Sequence, residues 1–191
     1  MSAKASCSVW GWDISSNCRQ AGRRGRGAVT AAFAAAALLC GLVLPLSAQS
    51  APAGKIAKSI ERIFGTGVQT DTLRVDTASV LRIRRGDTLL GFARVRNVKG
   101  KDQPITYLVA IDPQNTLKDI DILVYREPYG GEVAYEPWRK QFRGKTTSAP
   151  LVVGKDVKNI SGATISSHSV TLAVRQTLAD LTAWHAAGKI K

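Results

Sequence analysis

Cysteine is missing from most of this 191-residue chain: Cys7, Cys18 and Cys40 are the three present, and none follows residue 40. Histidine is as scarce, because His168 and His185 are the two in the chain and they lack the spacing of a metal-binding pair. Beyond residue 40 these absences exclude thiolate-bound iron–sulfur clusters, CxxCH haem attachment, cysteine nucleophiles and disulfides. They also leave zinc sites and catalytic triads poorly supported.

The N-terminal region has the order of a secretory signal. Arg23, Arg24 and Arg26 form a positive cluster, an uncharged apolar run follows at 28–47, and small residues follow that run. We expect a signal peptidase to cleave among those small residues, at 48–53. The apolar run is also long enough to span a bilayer, so an uncleaved membrane anchor is the alternative.

Two segments therefore make up the predicted organisation: a leader at 1–50 and one exported domain at 55–191. The domain would lie in the periplasm or be anchored on the outer side of the cytoplasmic membrane. It keeps most of the positive charge, because residues 1–54 hold five basic residues and one acidic residue, which leaves +9 of the total +13. Such a domain suits acidic proteins or an anionic membrane surface, and export argues against nucleic acid.

Hydrophobic periodicity predicts a single α+β domain. Apolar residues at helical spacing in 55–65 predict a first helix, and a short helical segment is expected at 136–146. Val170, Val174, Leu178 and Leu181 share one face of a long C-terminal helix predicted over 166–187. Alternating segments joined by short turns predict an antiparallel sheet, with strands at 71–77, 79–87, 88–98, 103–112 and 117–130.

The stretch Ser161-Gly162-Ala163-Thr164 stands where the long helix is predicted to begin. The start of a helix has free backbone N–H groups and a partial positive charge, which together bind phosphate. Gly162 permits a sharp turn, Ala163 keeps the site open, and the hydroxyl of Thr164 can bond to a phosphate or form an ester with it. On these residues alone, helix capping by a hydroxyl is the simpler interpretation and a phosphate site is the alternative.

Four segments in a fixed order resemble the FMN-binding domain family, which includes the covalent-FMN subunits of the sodium-pumping NADH:quinone reductase and of the Rnf complex. Together they cover about residues 85–175, most of the predicted domain. The segments are GFARVRNVKGKDQPITYLVAID, ILVYREPYGGEV, WRKQFRGK and VGKDVKNISGATISSHSVTLAVR. The combination in this order is specific, whereas the Ser-Gly-Ala-Thr tetrad alone is not.

The resemblance implies an FMN acceptor. In that family, a flavin transferase joins FMN from FAD to the threonine of Ser-Gly-Ala-Thr through a phosphoester bond. Carried over, the acceptor here is Thr164, in a loop shaped by Ser161, Gly162 and Ala163. Many members place an aspartate six residues before the acceptor, where the transferase is thought to read it, and this chain has Lys158 there.

Other residues of the four segments are further candidates for holding the cofactor. The resemblance suggests that Glu127 and Gly130 form a turn beside the flavin ring, and that Gln141 and Lys145 bond to the ring or the phosphate. An ordinary turn and a solvated surface charge are the alternatives. Aromatic residues could stack on the ring or pack in the core instead: Tyr125, Tyr129 and Phe142.

A carrier of electrons is the function that the resemblance implies. No group of residues has the character of a substrate pocket with acid–base catalysts. We therefore expect an exported FMN flavoprotein that relays electrons between membrane or periplasmic redox proteins, with basic stretches at 82–85, 94–101 and 139–145 available to acidic partners. The alternatives are a flavin-free binding or structural module of the same fold and a small FMN-dependent reductase.

Overall fold

The computed structural model describes residues 52–191, and the predicted leader lies outside them. In this part of the chain, no helix is long and apolar enough to cross a membrane. The elements, in chain order, are α1 (Ala53–Phe64), β1 (Gln69–Val75), β2 (Ala78–Arg85), β3 (Thr88–Lys99), β4 (Pro104–Ile111), β5 (Leu117–Val124), α2 (Glu136–Arg139) and α3 (Thr164–Ala186). Short 3₁₀ turns flank α2, at Gly131–Ala134 and Lys140–Phe142.

The five strands form one antiparallel sheet in the order β1-β2-β3-β4-β5, as the short connections predict. The turn between β4 and β5 illustrates how the sequence reverses the chain. Asp112 Oδ1 accepts hydrogen bonds from the backbone N–H groups of Gln114 and Thr116, and Asn115 adopts a left-handed conformation with φ +63°. Asparagine tolerates that conformation better than most residues, which explains its position there.

Helices cover both faces of the sheet. The predicted face of α3 is fully buried, and it packs on the same side as Phe92, Tyr107 and Val109. α1 packs on the opposite side against Ile83, Leu108 and Ala110. Successive residues of a strand point to opposite faces, so the interior strand β4 is buried on both faces from Ile105 to Ile111. The α+β prediction with a long C-terminal helix is confirmed.

One strand is shorter than predicted. The sequence predicts extended structure over 117–130, but β5 ends at Val124 and the chain then leaves the sheet. Pro128 has no N–H to donate to a ladder, and Gly130 adopts a left-handed conformation with φ +88°, so neither residue continues a strand. The released segment, 125–130, is free to fold toward the start of α3.

A buried carboxylate joins α1, β5 and the segment around α2. Asp119 is 3% exposed, and its Oδ2 accepts hydrogen bonds from Arg62 at 2.7 Å and Arg143 at 3.0 Å. The guanidinium of Arg139 lies 3.7 Å away. Burial by itself raises the pKa of Asp119, but the hydrogen bonds from Arg143 and Arg62 outweigh it and the pKa lies below its usual value.

We predict that Asp119→Asn lowers the free energy of unfolding by roughly 2 kcal/mol, because it removes the buried carboxylate to which Arg62 and Arg143 donate, while Asp121 stays beside Arg62 and Arg139. Denaturant titration at neutral pH measures the loss. Since the pKa is depressed in the folded state, the contribution is present above the unfolded pKa of about 3.9 and is lost as pH falls through the folded pKa. The difference between variant and parent should therefore shrink in acid.

Asp76→Asn is the matched control. Asp76 pairs with Lys189 at 3.3 Å, but both side chains are about half exposed or more. An exposed pair of this kind contributes at most about 1 kcal/mol. Equal losses in the two variants would contradict the role assigned to the buried site.

Candidate functional site

A cleft of about 390 Å³ opens between the segment after β5 and the first turn of α3. Its lining is largely apolar, and the loop between β3 and β4 closes one side. The lining residues are Lys101, Asp102, Glu127, Pro128, Tyr129, Gly162, Ala163, Thr164, Ile165 and Ser166. Of the eight predicted cofactor-binding residues, the structure therefore brings four to this cleft: Glu127, Gly162, Ala163 and Thr164.

No hydroxyl caps the start of α3. The residue at the cap position is Ala163, which has no polar side chain, and no side chain bonds to the first backbone N–H groups. Ser161 is exposed in the preceding turn, and Gly162 makes that turn with φ +81°, a conformation that favours glycine. Capping is therefore not the role of these hydroxyls, and the first N–H groups of α3 stay available to an anion.

The acceptor candidate is accessible. Thr164 is the first residue of α3 and its side chain is exposed at the cleft. Its Oγ1 accepts a hydrogen bond of 3.1 Å from the side-chain amide of Asn159, within the same loop. That contact orients the oxygen and leaves its proton free for another partner.

Glu127 lies on the opposite wall of the cleft, and backbone N–H groups hold its carboxylate in place. Its carboxylate accepts hydrogen bonds from the N–H groups of Gln103 at 3.0 Å and Asp102 at 2.8 Å. These bonds, chiefly the one from Gln103, lower the pKa of Glu127, so the group is ionised at neutral pH. Glu127 thus fixes the loop that carries Lys101 beside the cleft.

A hydroxyl pair joins the two walls. Tyr125 donates its proton to the carbonyl oxygen of Tyr129 at 2.6 Å, so Ser166, 2.9 Å away on α3, donates to the Tyr125 oxygen. Burial raises the pKa of Tyr125, which keeps it protonated. Gly130 packs behind this contact: a Cβ there would lie 2.7 Å from the Tyr125 hydroxyl and 3.2 Å from Ala163. Sequence reasoning missed the pair, because its members are 41 positions apart.

Gln141 and Lys145 lie outside the cleft lining and hold the segment that leads to Thr164. Gln141 accepts a hydrogen bond from the Lys158 N–H at 2.8 Å, and Trp138 donates to the Lys158 carbonyl at 2.9 Å. Lys145 bonds to the carboxylate of Asp156 at 2.7 Å. These contacts assign the two residues a positioning role, and direct contact with a cofactor stays a prediction.

The aromatic candidates separate by location. Tyr129 lines the cleft and is 82% exposed, whereas Phe142 is fully buried beside Trp138. Phe142 therefore belongs to the core. His168 is exposed one turn after Thr164 and does not line this cleft.

Residues 100–179, which contain the whole cleft, match the family model described as "FMN-binding domain". This part of the chain belongs to the FMN-binding domain family. A curated relative from Clostridium ljungdahlii is a subunit of the proton-translocating ferredoxin:NAD(+) oxidoreductase complex; it is 26% identical over 134 residues, 60% of this chain and 72% of the relative. The crystal structure of Shewanella oneidensis NqrC is similar with a TM-score of 0.44 and 23% identity, over 60% of this chain and 69% of that one.

The site's residues fit FMN. A cleft of about 390 Å³ lies within the usual range of ligand pockets, and its apolar side chains, Pro128, Tyr129 and Ile165, suit a flat ring. Free N–H groups at the start of α3 suit a phosphate, and Lys101 adds a positive charge at the cleft. When bound, FMN would supply electron-transfer chemistry, while these residues hold it.

We predict that Gly130→Ala destabilises the fold by more than Gly144→Ala does. Both glycines have left-handed backbone, with φ +88° and +77°, so each alanine costs roughly 1 kcal/mol of strain. A Cβ at position 144 meets nothing within 4 Å, whereas one at position 130 collides with Tyr125. We expect Gly130→Ala to lower the free energy of unfolding by roughly 1–3 kcal/mol more than Gly144→Ala does, measured by thermal or denaturant unfolding.

Tyr125→Phe provides the internal test. Removing the hydroxyl removes the closest contact of the new methyl group, so Gly130→Ala should cost less in the Tyr125→Phe background than alone. Strictly additive effects would argue against the packing described here.

Proposed function

We propose that this chain is an exported electron-transfer flavoprotein whose FMN is esterified to Thr164 and relays electrons in a membrane-associated redox chain. The observation that carries the proposal is the exposed hydroxyl of Thr164 at the cleft, on a helix start that no side chain caps. A hydroxyl in that position has no structural duty to the helix. It is therefore available for modification.

Attachment in the proposed form balances with FAD as the donor. A bond forms between Thr164 Oγ1 and the phosphorus of the FMN half, and the bond from that phosphorus to the bridging oxygen of the AMP half breaks. AMP leaves with that oxygen, and the hydroxyl proton is released. The contribution of this chain is to present the oxygen, which Asn159 orients, and to receive the phosphate at the start of α3.

The proposed partners follow from the relatives. The Clostridium relative carries the name of a component of a ferredoxin:NAD(+) oxidoreductase complex, which supports a place in a membrane redox assembly for this chain. The signal-like order of the leader supports export. A separate flavin transferase would load the cofactor outside the cytoplasm.

We predict that the full chain gains the mass of one FMN less one water when it is co-expressed with a flavin transferase. Thr164→Ala should abolish the addition, because the nucleophilic oxygen is gone. Intact-mass spectrometry and flavin fluorescence after denaturing electrophoresis measure both results.

Ser161→Ala, Ser166→Ala and Ser167→Ala are the matched controls, since each removes a neighbouring hydroxyl. All three should keep the adduct. An adduct that survives Thr164→Ala and disappears in a serine variant would show that FMN is attached to that serine and not to Thr164. A chain that never acquires flavin under these conditions would refute the carrier function and favour a flavin-free module.

Lys158 offers a second test of attachment. Its backbone is fixed by Gln141 and Trp138 while its side chain is exposed, so a substitution there changes what a transferase meets without changing the loop. We predict that Lys158→Asp, which restores the acidic residue common in the family, raises the modified fraction in a time course. Lys155→Asp makes the same charge change at an exposed position three residues earlier. An equal gain in the modified fraction there would mean that the effect comes from overall charge and not from position 158.

A further inference from the structure

Ion pairs offset part of the charge of the basic stretches that the sequence offers to partners. Within the described residues, each of the main arginine pairs shares one aspartate: Arg82 and Arg84 bind Asp71, Arg94 and Arg96 bind Asp180, and Arg139 and Arg143 lie beside Asp119. The pairs on Asp71 and Asp180 thus keep one unbalanced charge each, and other cations lie outside these ion pairs altogether.

Three cations border a second groove, which lies beside α3. Arg175 lines this groove, and Lys155 and Lys158 are exposed in the turn that directly follows two of its lining residues, Val152 and Val153. None of the three forms an ion pair with any residue in 52–191. Asp156, which lies in the same turn, does not balance them, because it is paired with Lys145. We call these three residues the cationic rim.

The rim borders apolar surface. The second groove, of about 320 Å³, runs beside α3 and is lined by Leu151, Val152, Val153 and Leu172 together with His168 and Arg175. Four large apolar side chains of the described residues are strongly exposed, and three of them lie in the cleft or this groove: Tyr129, Ile165 and Leu172. Ile165 and Leu172 are two helical turns apart, which places them on one face of α3. We call this surface the α3 face.

We propose that the α3 face binds a partner protein whose contact surface carries a projecting apolar side chain surrounded by carboxylates. The apolar side chain would enter the second groove, and the carboxylates would meet the cationic rim. This inference rests on the proposed function, since the partner would exchange electrons with a flavin in the adjacent cleft. Apolar contact inside a charged border is the usual arrangement of such interfaces.

Charge and shape disfavour two other occupants. A second copy of this chain would bring two cationic rims together, and like charges oppose association. A bilayer is met by side chains that protrude into it, whereas this groove is concave and includes Leu151, which is 2% exposed. A groove of that kind accommodates a side chain projecting from a protein.

The test uses the full chain and a fluorescently labelled, capped peptide with a central pair of leucines flanked on both sides by glutamates. Fluorescence anisotropy should show binding that weakens as salt is added. Leu172→Ser removes the apolar contact and Arg175→Glu reverses a rim charge, so each should weaken binding about fivefold or more. A peptide with lysines in place of the glutamates should not bind.

Arg74→Glu is the matched control. Arg74 is exposed on β1, and its neighbour Val75 points to the side of the sheet that α3 covers, so Arg74 points away. Its reversal should change affinity by less than about twofold, since exposed charges far from a contact act weakly. Equal weakening by Arg74→Glu, or no binding of the acidic peptide, would overturn the inference. A third result would also overturn the inference: the peptide does not bind, and the chain instead binds phosphatidylglycerol vesicles in a way that Leu172→Ser and Arg175→Glu abolish. Such a result would indicate a membrane surface.

The measurement is made on chain with and without co-expressed flavin transferase. Peptide binding by a chain that never acquires flavin would leave the α3 face standing and remove the proposed electron transfer. A chain that acquires the flavin adduct but does not bind the peptide would keep the proposed function and remove the α3 face as a binding surface. The two failures are therefore distinguishable.

Discussion

The packing of α3 on the sheet fixes everything that surrounds the cleft. Val170, Val174, Leu178 and Leu181 are fully buried against strands β3 to β5. The hydroxyl of Tyr107 adds direction to this apolar contact, because it reaches Thr177 at 2.9 Å and the Ala173 carbonyl at 3.2 Å within the core. Since a helix is stiff, anchoring its middle and end also fixes where its first turn stands. That first turn carries Thr164.

The other wall of the cleft depends on a few polar contacts rather than on apolar packing. Segment 125–130 leaves the sheet after β5 and meets α3 through Tyr125 and Ser166, while Glu127 holds the loop between β3 and β4. Behind the loop that carries Thr164, Gln141 and Lys145 secure the segment that precedes it. Of the eight predicted residues, four thus line the cleft, while Gln141 and Lys145 support it from outside.

The strands and helices, and the position of Thr164 at the start of α3, were predictable because their signals are local. Alternation in the strands, helical spacing in α1 and α3, and the Asp112–Thr116 turn can each be recognised within a short stretch of sequence. The partners of Tyr125 and Lys145 were not, since they depend on which distant segments the topology brings together. Charge shows the same limit: the stretches at 82–85 and 139–145 are rich in arginine, but neighbouring strands and helices place aspartates opposite most of it. The sequence gives the net charge of the protein, but only the fold shows where on the surface the unpaired positive charges lie.

In the proposed carrier, a covalent bond to the cofactor would compensate for the openness of the cleft. Tyr129, which lines the cleft, is 82% exposed, so the cleft is open to solvent on that side. Pockets that retain small molecules by contact alone usually bury most of the ligand's surface, and a cleft open on one side offers less burial than that. The proposed ester to Thr164 would retain the flavin without that burial. The ring edge would then stay accessible beside the α3 face, where a partner can approach it directly.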